Sequence, residues 1–461
     1  MRRKGHFSMN QSPTPTDHLF TNRQLTAMLL PLMAEQLLIT MMGMVNTFMV
    51  AHVGSYAISA VSLVDSINIL VIQAFYALST GGTIVCAQYL GQKKLGHAVH
   101  SAEQTLFIVT FISLVTAALC ILFDRQILRL IFGTVEADVF NSARTYFFFS
   151  SLSYPFIALY DAGSSIFRAQ KNTSFPMAMS VIANIANVIG NVVLVLILGQ
   201  GVAGAAISTL AARALCAFLV LMRLAKPREN QPVHVSNYIR IRPHMPLIRR
   251  ILHIGIPAGI ENSMFQFGKL AIQSSVSTLG VTAMAAHAMA SNFESFNGIA
   301  GVGVGIGLMT ATGHCLGAGR KDEAVYYVKK FCVAAEIAVA GSCILLFLLA
   351  RPIVTLSGME TESMNIFLGL LTLITIVKPL IWVPSFIPAY ALRAAGDVKY
   401  TMIISCLSMW LCRVSLCIFL IRGLGVGPVA VWIGMFSDWL IRGILFTKRY
   451  MSRKWLEFQV L

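Results

Sequence analysis

Apolar residues dominate the chain in runs of about 20 or more, broken by short polar stretches. As helices, runs of that length cross a hydrocarbon core about 30 Å thick. The pattern predicts twelve spans, near 26–51, 57–88, 98–123, 139–166, 174–198, 202–224, 248–278, 283–315, 325–350, 363–391, 400–421 and 427–447. The longest polar interruption, Ala225 to Arg250, carries Pro227, Pro232 and Pro243 and falls between spans six and seven. The expected parts are a cytoplasmic tail (1–25), a six-helix lobe (26–224), a cytoplasmic linker (225–247), a second six-helix lobe (248–447) and a cytoplasmic tail (448–461). Met1 to Asn22 is polar, lacks the apolar core of a signal peptide and reads as disordered.

The halves repeat each other. A displacement of 226 residues lays Pro31 on Pro257, Glu35 on Glu261, Gly54 on Gly280, Gly81 on Gly307 and Leu90-Gly91 on Leu316-Gly317. A displacement of 225 lays Phe167-Arg168-Ala169 on Leu392-Arg393-Ala394. Each match alone is at chance level, but the set in register is not. Units of six spans insert the same way up, so the repeat is parallel, and sites are expected between or within the halves. The predicted fold is an all-α polytopic membrane protein of twelve transmembrane helices, arranged as two six-helix bundles.

Composition agrees with a lipid solvent: 56% of residues are hydrophobic and 12% charged, against about 25% charged in soluble domains. The formal charge of +16 does not imply a nucleic-acid partner. Basic residues gather in the tails and in loops after even-numbered spans, such as Lys93-Lys94, Arg168, Lys171, Arg320-Lys321 and Arg393. That bias places both termini in the cytoplasm, at the cell (inner) membrane. The nine cysteines include no Cys-x-x-Cys, and the ten histidines show no ligand spacing, so no metal is expected. Gly301-Val-Gly-Val-Gly-Ile-Gly307 lacks the Lys-Ser/Thr ending of a phosphate loop and suits close helix packing. With no Walker motif the chain is read as no enzyme. It would run on an ion gradient, with no cofactor beyond a coupling proton or sodium ion.

Three motif sets carry a resemblance. They are the Leu-Gly…Ala segments at Leu90–Ala98 and Leu316–Ala324, the Arg-Ala turns at Arg168 and Arg393, and Gly201-Val-Ala-Gly-Ala-Ala206. Together with the repeat they resemble the MATE family, the multidrug and toxic compound extrusion transporters, from Thr26 to Lys448. The resemblance implies a V-shaped pair of bundles that exports organic, often cationic, compounds in exchange for protons or sodium ions. The chain departs from the family at its acidic positions. One branch has Asp where this chain has Asn46 and Asn191; another has Glu where it has Phe265. The alternative reading is a lipid-linked precursor flippase of the same superfamily.

Carboxylates inside apolar spans are costly and mark function. Glu261 lies about 16 Å into its span from Arg250, near the midplane, and Glu35 matches it in context; both are expected at proton or cation coupling. Asp65 is expected to supply a further carboxylate, with Asn46, Asn187 and Asn191 as neutral ligands, since steps of three and four from Asn184 keep one helical face. Lys269 and Glu294 flank the turn at Gly280 by eleven and fourteen residues. Antiparallel neighbours would hold them as an ion pair or gate. Phe265, Phe293 and Phe296 are expected to face organic cations. Asp161, Glu336 and Asp438 read as structural. The lipid bilayer and organic cations are the expected partners, and the chain is expected to act as a monomer.

Overall fold

A computed structural model describes residues 18–461, apart from 134–135, 227, 229–230, 237, 239–240, 357 and 459. Most of the tail at 1–25, and Pro227 of the linker, therefore lie outside the described residues. The described chain forms helices α1 (Asn22–Ala51), α2 (Ser55–Gly91), α3 (Leu95–Leu122), a short α4 (Asp124–Phe132), α5 (Ala137–Ala169), α6 (Ser174–Ile197), α7 (Gly201–Leu224), α8 (Met245–Val276), α9 (Val281–Gly317), α10 (Lys321–Leu356), α11 (Thr361–Ala395), α12 (Val398–Gly423) and α13 (Val429–Met451). Without α4, helices α1–α7 form one six-helix bundle and α8–α13 the other.

Ten of these twelve long helices are apolar enough to cross a membrane on composition alone. The other two, α5 and α8, are of matching length at 33 and 32 residues. Their polar content sets them apart, and much of it turns inward: Asp161 and Arg168 of α5 and Glu261 of α8 are buried. Buried charges also occur on other spans, such as Glu35 of α1, Lys378 of α11 and Asp438 of α13.

Local sequence sets several boundaries. The Thr21 side chain accepts from the backbone of Gln24, and the Gln24 side chain accepts from the backbone of Thr21, a reciprocal cap that starts α1. Leu19 and Phe20 just ahead of it are fixed to α10, where the Phe20 N–H donates to the Tyr327 hydroxyl at 2.9 Å. His18 to Asn22, expected to be disordered, are therefore ordered. After α13 the chain stays folded, with Trp455 fully buried and its indole donating to Tyr450 O. The linker is likewise bound to the first lobe. Gln170 exchanges hydrogen bonds with the backbone of Val233, and Gln104 bridges Arg242 O and His244 N.

The first helix of each lobe leaves its sequence neighbour and packs along the second helix of the other lobe: α1 on α9, and α8 on α2. Helices α2 and α9 cross at one end of the molecule, where α1 and α8 begin. Gly91 and Gly317, equivalent in the repeat, make the crossing possible; a Cβ on either would run into the other helix's backbone. Two equivalent hydrogen bonds brace it. Gln88 Nε2 donates to Ala394 O at 2.8 Å, and His314 Nε2 donates to Ala169 O at 2.8 Å. The lobes are closed at this end.

Candidate functional site

Beyond the crossing lies a cavity of about 490 Å³, lined mainly by the first lobe, with Ala258, Asn262, Val302, Tyr390 and Arg393 closing it from the second. Its charged lining is Asp65, Asp161, Arg168, Arg213 and Arg393, and its tyrosines are Tyr76, Tyr146, Tyr160 and Tyr390.

At the floor are two equivalent ion pairs. Arg168, in the last turn of α5, reaches Glu35 of α1 at 2.5 Å, both side chains being buried. Arg393, in the last turn of α11, reaches Glu261 of α8 at 2.7 Å. The sequence reading expects Glu35 and Glu261 at proton or cation coupling and assigns them no partner; the structure gives each an arginine. Those arginines read in sequence as loop charges that only orient the chain. The signal for them was present, because Arg168 and Arg393 are related by the same repeat as the two glutamates.

Asp65 and Asp161 differ from these. Neither lies within ion-pairing distance of a described cation. Asp65, on α2, accepts from Asn68 Nδ2 at 3.1 Å and from the Tyr146 hydroxyl. Asn68 is held in turn by Ser150 and Tyr154 of α5. Asp161 projects from α5 into the cavity, facing Arg168, Glu35 and Arg213 without bonding to them. Reading it as structural for want of a partner misses it. In a wet cavity, a carboxylate without a protein partner is the one left for a ligand.

Asn46, Asn187 and Asn191 come together as expected, but through each other. Asn191 donates to Asn46 Oδ1 and Asn187 Oδ1, both at 3.0 Å, and Asn187 donates to Thr209 at 3.2 Å. The row ties α1, α6 and α7 on the cavity's side, with Asn187 and Asn191 fully buried. Asp65 makes no bond to it.

The expected Lys269–Glu294 pair does not form. Glu294 bonds Lys378 of α11 at 2.8 Å instead, while Lys269 stays within its electrostatic reach only. The physical reason is the packing exchange: α8 runs along α2, so α8 and α9 are not the close antiparallel neighbours their short turn implies. Phe293 is a core residue, buried and packed on Phe367 at 5.1 Å between ring centres. Phe296 is half-buried. Phe265 faces three cations of its own lobe, Lys269, Arg413 and Arg442, at 5.3–5.5 Å from its ring centre. None of the three phenylalanines lines the cavity. Among the described residues no His, Cys, Asp or Glu group could hold a metal ion.

The MatE family model matches this chain twice, over residues 31–193 and 257–419. The chain belongs to the MatE family. The two matches begin at Pro31 and Pro257, the residues that open the repeat. The "Probable multidrug resistance protein NorM" of Thermotoga maritima is 25% identical over 448 residues, covering 95% of this chain and 94% of that one. The "Uncharacterized transporter YisQ" of Bacillus subtilis is 26% identical over 451 residues, covering 96% of each. A solved structure described as the outward-facing conformation of a multidrug resistance MATE family transporter superposes with a TM-score of 0.87, over 93% of this chain and 95% of that one, at 16% identity. That last likeness concerns the fold. The MatE chain is an integral membrane protein and a transporter, as its relatives are.

Proposed function

We propose that this MatE protein exports organic cations across the cell membrane by alternating access, in exchange for protons or sodium ions. The observation that carries the reading is the pair Asp65 and Asp161, unpaired carboxylates in one tyrosine-lined cavity. A cation entering there meets two opposite charges against one unpaired arginine, Arg213, and gains the faces of aromatic rings, while giving up hydration. The names of the multidrug relatives agree with a broad substrate range. Basic loops place the closed end in the cytoplasm, so the cavity faces outward in this conformation.

Coupling follows from sharing. A proton or sodium ion at Asp65 or Asp161 and an organic cation in the same cavity oppose each other electrostatically. Ion binding from outside would therefore expel the cation, and the neutralised cavity would return inward. A ligand shifts such an equilibrium only by its differential affinity for the two states. In this reading coupling belongs to Asp65 and Asp161, with Asn46, Asn187 and Asn191 holding the wall. Glu35 and Glu261, tied to arginines, hold the closed ends of the lobes.

Proteoliposomes loaded with an organic dye cation, given a sodium gradient or a proton gradient separately, test this. Dye movement should follow one gradient and disappear in Asp161→Asn. Movement indifferent to both gradients would reject exchange. Transbilayer movement of a pyrophosphate-linked lipid without dye transport would favour the flippase.

A further inference from the structure

Apart from the Glu261–Arg393 pair at the closed end and Glu336 of α10, the spans of the second lobe carry four cations, Lys269, Lys378, Arg413 and Arg442, and two acids, Glu294 and Asp438. Lys378 is taken by Glu294 at 2.8 Å, and Arg442 by Asp438 at 3.2 Å. Lys269 and Arg413 remain, and neither has an ion pair with a described residue. Arg413 is 92% buried, its relative exposure being 8%, and its Nε has no hydrogen-bond partner. A buried charge without a counterion is costly.

Two indole donors of this lobe are unpartnered as well. Trp432 Nε1 and Trp439 Nε1 are buried without acceptors, and an indole N–H can only donate, as can a guanidinium. His287, 5.9 Å from Trp432 between ring centres, also has an unpartnered Nδ1, while the nearby acids Asp438 and Glu294 are bonded to Arg442 and Lys378. Arg413 also sits in a π-helical stretch, Ser408–Ser415, inside α12. Such wide turns are frequent at functional sites.

We infer that the second lobe binds an organic carboxylate between Arg413 and Lys269. The edge of a guanidinium that includes Nε presents two N–H groups, which matches the two oxygens of a carboxylate. Lys269, exposed on α8, supplies a second charge. Phe265 lies beside both cations, its ring centre 5.3 Å from Arg413 and 5.5 Å from Lys269, and offers an apolar wall to the body of an aromatic anion. The site is separate from the cavity that takes cations and does not depend on that reading.

Calorimetric titration of the full-length protein in detergent, with sodium benzoate, inorganic phosphate and sodium chloride at fixed ionic strength, tests the inference. Benzoate should bind saturably to the wild type. Binding should weaken about tenfold or more in Arg413→Gln and in Lys269→Gln, as expected for loss of one charge-assisted hydrogen bond. Glu294→Gln, which removes a negative charge and frees Lys378, should tighten it, an effect no misfolded variant would show. Asp161→Asn should leave it unchanged. Equal benzoate binding in Arg413→Gln, tighter binding of phosphate or chloride than of benzoate, or no saturable heat would each overturn the proposal.

Discussion

In the first lobe Arg168 reaches back to Glu35 at 2.5 Å, and in the second Arg393 reaches back to Glu261 at 2.7 Å. Gln88 braces one side of the crossing and His314 the other, each on a backbone carbonyl at 2.8 Å. Away from the closed end the lobes part company. The first encloses Asp65, Asp161 and three of the four cavity tyrosines; the second sets two unpaired cations, Arg413 and Lys269, against Phe265. Duplication has kept the parts that close the molecule and changed the charges away from that end. Sequence symmetry is thus a guide to the hinge and gate here, and a poor guide to the binding site.

The comparison can be broken most forcefully at the paired glutamates. Breaking a buried pair by removing one partner costs about 3–5 kcal/mol. Glu35→Gln should therefore lower the thermal unfolding temperature strongly. Glu261→Gln should lower it less, because Arg393 is 20% exposed where Arg168 is 5% exposed. Identical losses, or none, would show that the pairs do not hold the closed ends as described. Next in size, Asp65→Asn with Asp161→Asn should weaken binding of an organic cation about 100-fold, roughly 2.7 kcal/mol, with little change in unfolding temperature. Equilibrium dialysis with a labelled lipophilic cation measures it.

Smaller effects sharpen the symmetry itself. Gln88→Ala and His314→Ala each remove one brace, worth about 0.5–1.5 kcal/mol. Spin labels on the two lobes at the closed end should report a similar shift toward the separated state in both variants. A shift in only one would mean that the braces are not equivalent.

The helices and the duplication were legible because both are one-dimensional signals. Apolar length marks a span whatever it packs against, and register survives as long as Pro31 and Pro257 or Gly91 and Gly317 remain in step. Even so, α5 and α8 are the two long helices that fall short on apolar composition, and both bury charge: Asp161 and Arg168 on α5, Glu261 on α8. The site was less legible because it depends on which helices meet. Lys378, not Lys269, bonds Glu294, since α9 packs on α11 while α8 has crossed to the other lobe. Arg168 and Arg393 look like loop charges until the last turns of α5 and α11 are seen to bring them back over α1 and α8. Asp161 could be singled out only by what is missing around it, and a sequence does not display a missing partner.

The central claim is that cations are taken by the first lobe's unpaired carboxylates and not by acids in general. Affinity for one lipophilic cation, measured side by side in wild type, Asp161→Asn and Glu294→Gln, tests it most directly. The account predicts about a tenfold loss or more in Asp161→Asn and no loss in Glu294→Gln. Equal weakening in both variants, or none in Asp161→Asn, would contradict it.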